Sequence, residues 1–207
     1  MSAFVHPTAI VEEGVVLGDG TAVWDTVHIR RDTTIGRDCI IGEKTYIAYG
    51  VHIGDLVKVN GFVYICTGVT IGDGVMLSAR VTFTNDRFPR ATTPDLARLR
   101  PSEPDEHTRG TLVREGATIG AGATIGNDLE IGRWAMVGMG ALVTRSVPDF
   151  HLAIGAPARS VACVCRCGEP FVRFPPGRPA EVAEVACPAC GLRYGVHEGR
   201  VTELTPP

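Results

Sequence analysis

An aliphatic or aromatic residue falls on every step of one six-residue grid, and neither of its two runs skips a position. The first run passes through Val5, Val11, Leu17, Val23, Ile29 and every sixth residue to Phe83, and the second from Val113 to Val143. A period of six matches neither the 3.6 of a helix nor the 2 of a simple strand. It is the period of a parallel β-helix, in which each hexapeptide supplies one short strand and one corner. Four residues past each anchor the chain is usually small or β-branched, as at Thr21, Val27, Cys39, Val63, Ala117 and Ala141. Two side chains per hexapeptide are therefore expected to point inward, and Cys39 is expected to be core packing. Of the 25 glycines, 17 fall either directly after an anchor or three residues past it, the places where the chain should turn its corners. Three hexapeptides make one coil of a triangular prism. Nearly seven coils, stacked at about 4.8 Å, predict an all-β prism roughly 32 Å long.

The grid also sets the organisation. Residues 84–112 break it, and Pro89, Pro94, Pro101 and Pro104 exclude regular strand there. An excursion of that length inside a solenoid is usually functional. Residues 144–160, TRSVPDFHLAIGAPARS, leave the grid and should close the C-terminal end, since a bare prism end exposes strand edges. Residues 1–160 then form one domain and residues 161–207 a small tail. A net charge of −3 implies no polyanion-binding surface, so no nucleic-acid partner is expected. No apolar run approaches a membrane span, and the N-terminal MSAFVHPTAI lacks the pattern of a signal peptide. A cytoplasmic protein without a membrane partner is the expectation.

Five of the seven cysteines crowd into the tail, as CVCRCG at 163–168 and CPACG at 187–191. Cys165, Cys167, Cys187 and Cys190 sit on two turns, each followed by glycine, about twenty residues apart. That pattern suits four thiolates around a tetrahedral structural zinc, with Cys163 as an alternative first ligand. A redox dithiol is the rival reading. No thioredoxin-like βαβ pattern surrounds these cysteines, and so short a tail has little core of its own without metal.

With the grid in place, the segments FTNDRFPRAT at 83–92, TLVREGATIGAGATIG at 111–126 and VPDFHLAIGAPAR at 147–159 carry a resemblance. They are similar to the hexapeptide acyltransferases with a left-handed β-helix. More narrowly, they resemble N-acetyltransferases of nucleotide-linked 3-amino sugars, such as UDP-2-acetamido-3-amino-2,3-dideoxyglucuronate N-acetyltransferase. The resemblance covers residues 4–160, and some members carry a zinc-ribbon-like tail. It implies a homotrimer with sites between neighbouring prisms, acetyl-CoA lying along the prism, and a sugar amine attacking the thioester. It also implies roles for particular residues. Asn85 matches the family's Thr-Asn pair and is the first catalytic candidate, with a loop-capping Asn as the alternative. His107, in the excursion, is the candidate base, although it matches no family motif. His28, Asp25, Asp86, Arg87 and Arg90 are candidate substrate contacts, the arginines for phosphate or carboxylate. Gly138, Ala141, Arg145 and Arg159 are candidate coenzyme A contacts.

The chain departs from the family pattern at Trp24-Asp25, at Lys58-Val59-Asn60-Gly61 and at Cys66-Thr67. A different sugar, such as a dTDP-linked 3-amino-3,6-dideoxyhexose, or a larger acyl group is therefore the alternative. Two other classes compete. A non-enzymatic scaffold would use the zinc tail for docking. A γ-class carbonic anhydrase would need a close histidine pair, which the spacing of His28, His52, His107 and His151 does not offer.

Overall fold

A computed structural model describes residues 2–105, 108–175 and 180–205, and every element in them is a β-strand. Most prism strands are two residues long, from Phe4–Val5 to Leu142–Val143. They stack in parallel with the register of one coil, as when Thr34 pairs with His52 and Ala22 with Ile40. The stacks form three sheets, one per prism face, of ten, seven and six strands. The architecture is the left-handed parallel β-helix of hexapeptide repeats. Among the described residues no helix is long and apolar enough to cross a membrane.

Inside, the grid anchors from Val23 to Val143 are all at most 4% exposed. The first coil differs. Val5 is 40% exposed, because no coil lies beneath it to cover its face. Between the anchors the smaller register fills the remaining space, with Cys39 buried among apolar neighbours as expected. The inward threonines are satisfied by carbonyls of the next coil. Thr21 Oγ1 donates to Gly36 O at 2.7 Å and Thr33 Oγ1 to Ala48 O at 2.9 Å. A buried hydroxyl left unpaired would cost about 1–3 kcal/mol.

The two glycine registers serve different physical needs. The position three past the anchor takes a left-handed φ at glycines such as Gly50 (67°), and equally at Asp38, Leu56 and Phe62. Corner geometry, not residue type, fixes that conformation, and glycine only removes its cost of roughly 1–2 kcal/mol. The glycines directly after an anchor have ordinary φ but no room. A Cβ on Gly36 would lie 2.6 Å from the carbonyl carbon of Gly54 in the next coil. Gly36→Ala is therefore expected to destabilise by about 2–3 kcal/mol through overpacking. Gly50→Ala, with nothing within 4 Å of its new methyl, should cost only about 1–2 kcal/mol of φ strain. Denaturant midpoints of the two variants would check the ordering.

The excursion leaves the stack intact. Val69 pairs with Thr111 and Ile71 with Val113, as though the intervening chain were absent. Within it the chain doubles back through isolated antiparallel bridges, Asp86 with Thr108 and Thr92 with Leu99. At the other end His151–Gly155 continues the ten-stranded sheet beside Met136–Val137. The chain then reverses at Ala156-Pro157, a cis peptide, into Ala158–Val164. That strand runs through residue 160, so the end closure and the start of the tail share one hairpin. Pro170–Arg173 adds a last antiparallel strand, and Val182–Ala186, Arg193–His197 and Arg200–Glu203 form a separate three-stranded sheet. His151 ties the two together. Its Nδ1 meets Ser160 Oγ at 2.9 Å and its Nε2 meets Gly199 O at 2.7 Å. Burial pushes its pKa below the usual histidine range.

Candidate active site

Asn85 stands where the last regular strand before the excursion, Thr82–Phe83, turns the corner between the seven- and six-stranded faces. The same corner one and two coils below carries Thr67 and Tyr49. The three are tied in series. Asn85 Nδ2 donates to Thr67 O at 3.2 Å, and Thr67 Oγ1 donates to Tyr49 O at 3.0 Å. The backbone N–H of Arg109, on the returning limb, donates to Asn85 O at 2.9 Å. The residue is thus held twice, its backbone by the returning limb of the excursion and its side-chain amide by Thr67 in the coil below.

Over this corner the excursion walls one side of an open pocket of about 400 Å³. Tyr49, Asn85 and Asp86 line its prism side, and Arg90, Arg100 and Glu103 its outer side. Asp86 Oδ1 accepts from the Phe88 N–H at 2.8 Å, a turn contact that orients the carboxylate. Arg90 Nη1 donates to Pro89 O at 3.0 Å. Arg87 instead lies over the Phe88 ring at 5.4 Å and does not line the pocket. His107 lies outside the described residues.

Tyr49, Arg100 and Glu103 are among the lining residues that sequence reasoning did not single out. Tyr49 occupies a corner position that the hexapeptide grid leaves unspecified, and Arg31 packs over its ring at 5.2 Å. Arg100 is one of several excursion arginines, told apart only by the fold. It donates to Phe88 O at 3.2 Å and lies 3.7 Å from Asp105.

His28 is three coils below Asn85 on the seven-stranded face, roughly 14 Å along the prism. It belongs to a surface network of its own. Glu12 Oε1 receives His28 Nε2 at 2.9 Å and lies 2.6 Å from Arg30 Nε, while Glu12 Oε2 accepts from the Arg31 N–H at 3.0 Å. The Arg31 N–H and then His28 hold the Glu12 pKa down at about 2. The His28 ring packs edge-on against Tyr46, which stacks on Tyr64 at 5.2 Å. Asp25 lies at a different corner, where its carbonyl accepts from the Lys44 N–H at 3.1 Å. Within one chain neither His28 nor Asp25 meets Asn85.

The coenzyme A candidates also separate. Gly138 lies on the ten-stranded face under Ile154, whose Cγ2 a Cβ would approach to 2.7 Å. Arg159 is exposed and pairs with Ile154 on the closing hairpin. Arg145 is exposed near the corner that carries Asn85. Ala141 corrects the expectation of an outer contact. Its methyl is 1% exposed and fills the core, because it falls in the inward small register.

In the tail, the sulfurs of Cys165, Cys167, Cys187 and Cys190 lie within 4.8 Å of one another. Cys165 and Cys190 are 3.4 Å apart, and Cys167 and Cys187 3.6 Å. A tetrahedron with metal–sulfur bonds of about 2.3 Å places its sulfurs roughly 3.8 Å apart, so the four residues fit a zinc ion. Cys163 is not among them. It is buried with Ala180 and Val196 in a separate apolar cluster, where burial pushes its thiol up to about 12. Tyr194 OH lies 3.1 Å from Cys165 Sγ and supports the knuckle from behind.

Comparison with known proteins supports the repeat reading. The family described as bacterial transferase hexapeptide (six repeats) matches residues 14–49, and the hexapeptide repeat of succinyl-transferase matches residues 32–67. The chain therefore carries the transferase hexapeptide repeat. Among curated proteins it is similar to dTDP-3-amino-3,6-dideoxy-alpha-D-galactopyranose 3-N-acetyltransferase of Aneurinibacillus thermoaerophilus. The two are 39% identical over 94 residues, which is 45% of this chain and 45% of that one. The match thus spans less than half the length of that relative. A shorter stretch of 36 residues is 50% identical to the acyl-[acyl-carrier-protein]–UDP-N-acetylglucosamine O-acyltransferase of Brucella ovis, covering 17% of this chain and 13% of that one. Among solved structures, the N-acyltransferase AntD from Bacillus cereus, in complex with dTDP and 3-hydroxybutyryl-CoA, superposes with a TM-score of 0.52. The identity is 20%, over 80% of this chain and 82% of that one, and the likeness speaks for the fold.

Proposed function

We propose that this chain is an acyltransferase that moves an acetyl or related short acyl group from its coenzyme A thioester to the 3-amino group of a nucleotide-linked sugar. The observation that carries this reading is the open pocket that the excursion forms over Asn85, whose side-chain amide is held by Thr67 O. The curated similarity supports a dTDP-linked amino sugar as the first substrate to try. In the reaction the unprotonated amine attacks the thioester carbonyl, a C–N bond forms and the C–S bond breaks. Coenzyme A leaves as the thiolate and takes up the proton that the new amide nitrogen releases. Asn85 serves by orienting the amine or the carbonyl, since an amide can donate and accept. Asp86, Arg90 and Arg100 set the polarity of the pocket around it.

One chain does not gather the whole candidate set. Gly138 and Arg159 lie on the ten-stranded face, whereas Asn85 and Arg145 lie at the opposite corner. A site that uses both draws them from two prisms, and a closed ring of three provides this three times over. With acyl-CoA as donor, the cytoplasm is its place of work. The four tail cysteines hold a structural zinc in this reading.

The direct test is a transfer screen of the purified protein, crossing UDP- and dTDP-linked amino sugars with several acyl-CoA donors. Transfer to a 3-amino sugar is the expected result. No transfer to any of them, together with no coenzyme A binding by calorimetry, would leave the scaffold reading. Sedimentation should give a trimer mass, and full activity from a monomer would overturn the shared site.

A further inference from the structure

We infer that a groove on the ten-stranded face, between Trp24 and Asn60, binds the base of a nucleoside diphosphate. This rests on the acyltransfer reading and deepens it by locating the nucleotide part of the substrate. Trp24, Gly42 and Asn60 are successive rungs of one outward column, because Ala22 pairs with Ile40 and Ile40 with Lys58. The middle rung has no side chain. A Cβ at Gly42 would lie 2.7 Å from the backbone of Asn60 and Gly61, so the stack itself keeps this rung bare. The result is a groove of about 390 Å³ whose walls include Trp24, Ile40, Glu43 and Asn60.

The missing rung has the dimensions of a flat ring. Adjacent rungs are about 4.8 Å apart, within the range of about 4.5–7 Å between stacked ring centroids. A planar ring over Gly42 would therefore stack on Trp24 as the next side chain of the column would. Trp24 is 45% exposed and is steadied from below by Phe4, edge-on at 5.8 Å. The Asn60 amide on the rung beyond offers both a donor and an acceptor to the exocyclic groups of the base. The Glu43 carboxylate lies over Gly61 and supplies a second acceptor.

The charge around the groove completes the argument. One residue beyond Glu43, Gly61 and Ala79 the chain turns the corner and sets out Lys44, Phe62 and Arg80 on successive coils. Lys44 Nζ lies 5.0 Å and Arg80 Cζ 5.9 Å from the centre of the exposed Phe62 ring. The aromatic rung holds two cations in place at the groove's edge, where a diphosphate attached to the bound base would reach.

The test titrates dTDP, and separately UDP, into the full-length protein, followed by tryptophan fluorescence and calorimetry. Wild type should bind with quenching. Trp24→Leu should weaken binding roughly tenfold or more, as expected for loss of a base–aromatic stack, with coenzyme A affinity and melting temperature unchanged. The double variant Lys44→Ala and Arg80→Ala should weaken it as well and flatten its salt dependence. Asn60→Leu keeps the tryptophan and decides the matter if Trp24→Leu proves unstable. Wild-type affinity in these variants, or no nucleotide binding by the native protein, overturns the groove. An unchanged KM for the nucleotide sugar in Trp24→Leu would sink the groove and leave acyl transfer standing. Nucleotide bound through Trp24 with no transfer to any amino sugar would do the reverse.

Discussion

Asn85→Ala should lower kcat on the order of 10²-fold while leaving the melting temperature close to that of wild type. Losing one positioned hydrogen bond used in the transition state is worth about that much. The fold should tolerate the change because the bond that shapes the excursion, from the Arg109 N–H to Asn85 O, uses the backbone and survives it. The side chain contributes one further bond, to Thr67 O. His107→Ala is the paired measurement. Wild-type kinetics in Asn85→Ala together with an inactive His107→Ala would move the chemistry to an enzyme-supplied base. Full activity in both would mean that substrate positioning and the departing thiolate suffice.

Removing the tail metal is the second large effect. One zinc per chain is expected by elemental analysis of untagged protein. Chelation, or Cys187→Ser, should release the three-stranded sheet of residues 182–203 as an early unfolding step. Structural zinc sites carry apparent binding energies of about 10–16 kcal/mol, far more than a sheet this small can gain from its own burial. The prism should melt as before, because Cys165 and Cys167 follow a strand already paired to His151–Gly155. An ion held by all four cysteines would join that hairpin to Cys187 and Cys190 beside the separate sheet. Disulfides by thiol titration, with no metal present, would instead establish the redox reading.

The prism was legible in the sequence because its period is forced. Each anchor must face inward, and where the next coil presses on the position after it, as at Gly18 and Gly36, no substitute fits without moving the backbone. The corner conformation was only half legible. Asp38, Leu56 and Phe62 adopt the same left-handed φ as the glycines without advertising it. The four clustered cysteines could be read because two short turns bring each pair together, whereas Cys163 is set apart only by the fold, which buries it with Ala180 and Val196. The candidate site was less accessible. Tyr49 and Arg100 meet Asn85 only because the excursion folds back over a particular corner, which no periodic signal encodes. Ala141 was misread for the converse reason: a small residue looks alike whether it clears a ligand or fills a core.

The way Val69 pairs with Thr111 across the excursion bears on how such proteins diversify. The coils above and below make the same contacts whatever lies between them, so the excursion is a module plugged into a finished frame. Closing a longer loop costs only about 0.6 kcal/mol for each doubling of its length. Selection can therefore lengthen, shorten or replace this segment almost freely, testing new pocket walls against Asn85 without disturbing the solenoid that holds it. Substrate preference in this lineage is then expected to drift with the insert, while the frame stays constant.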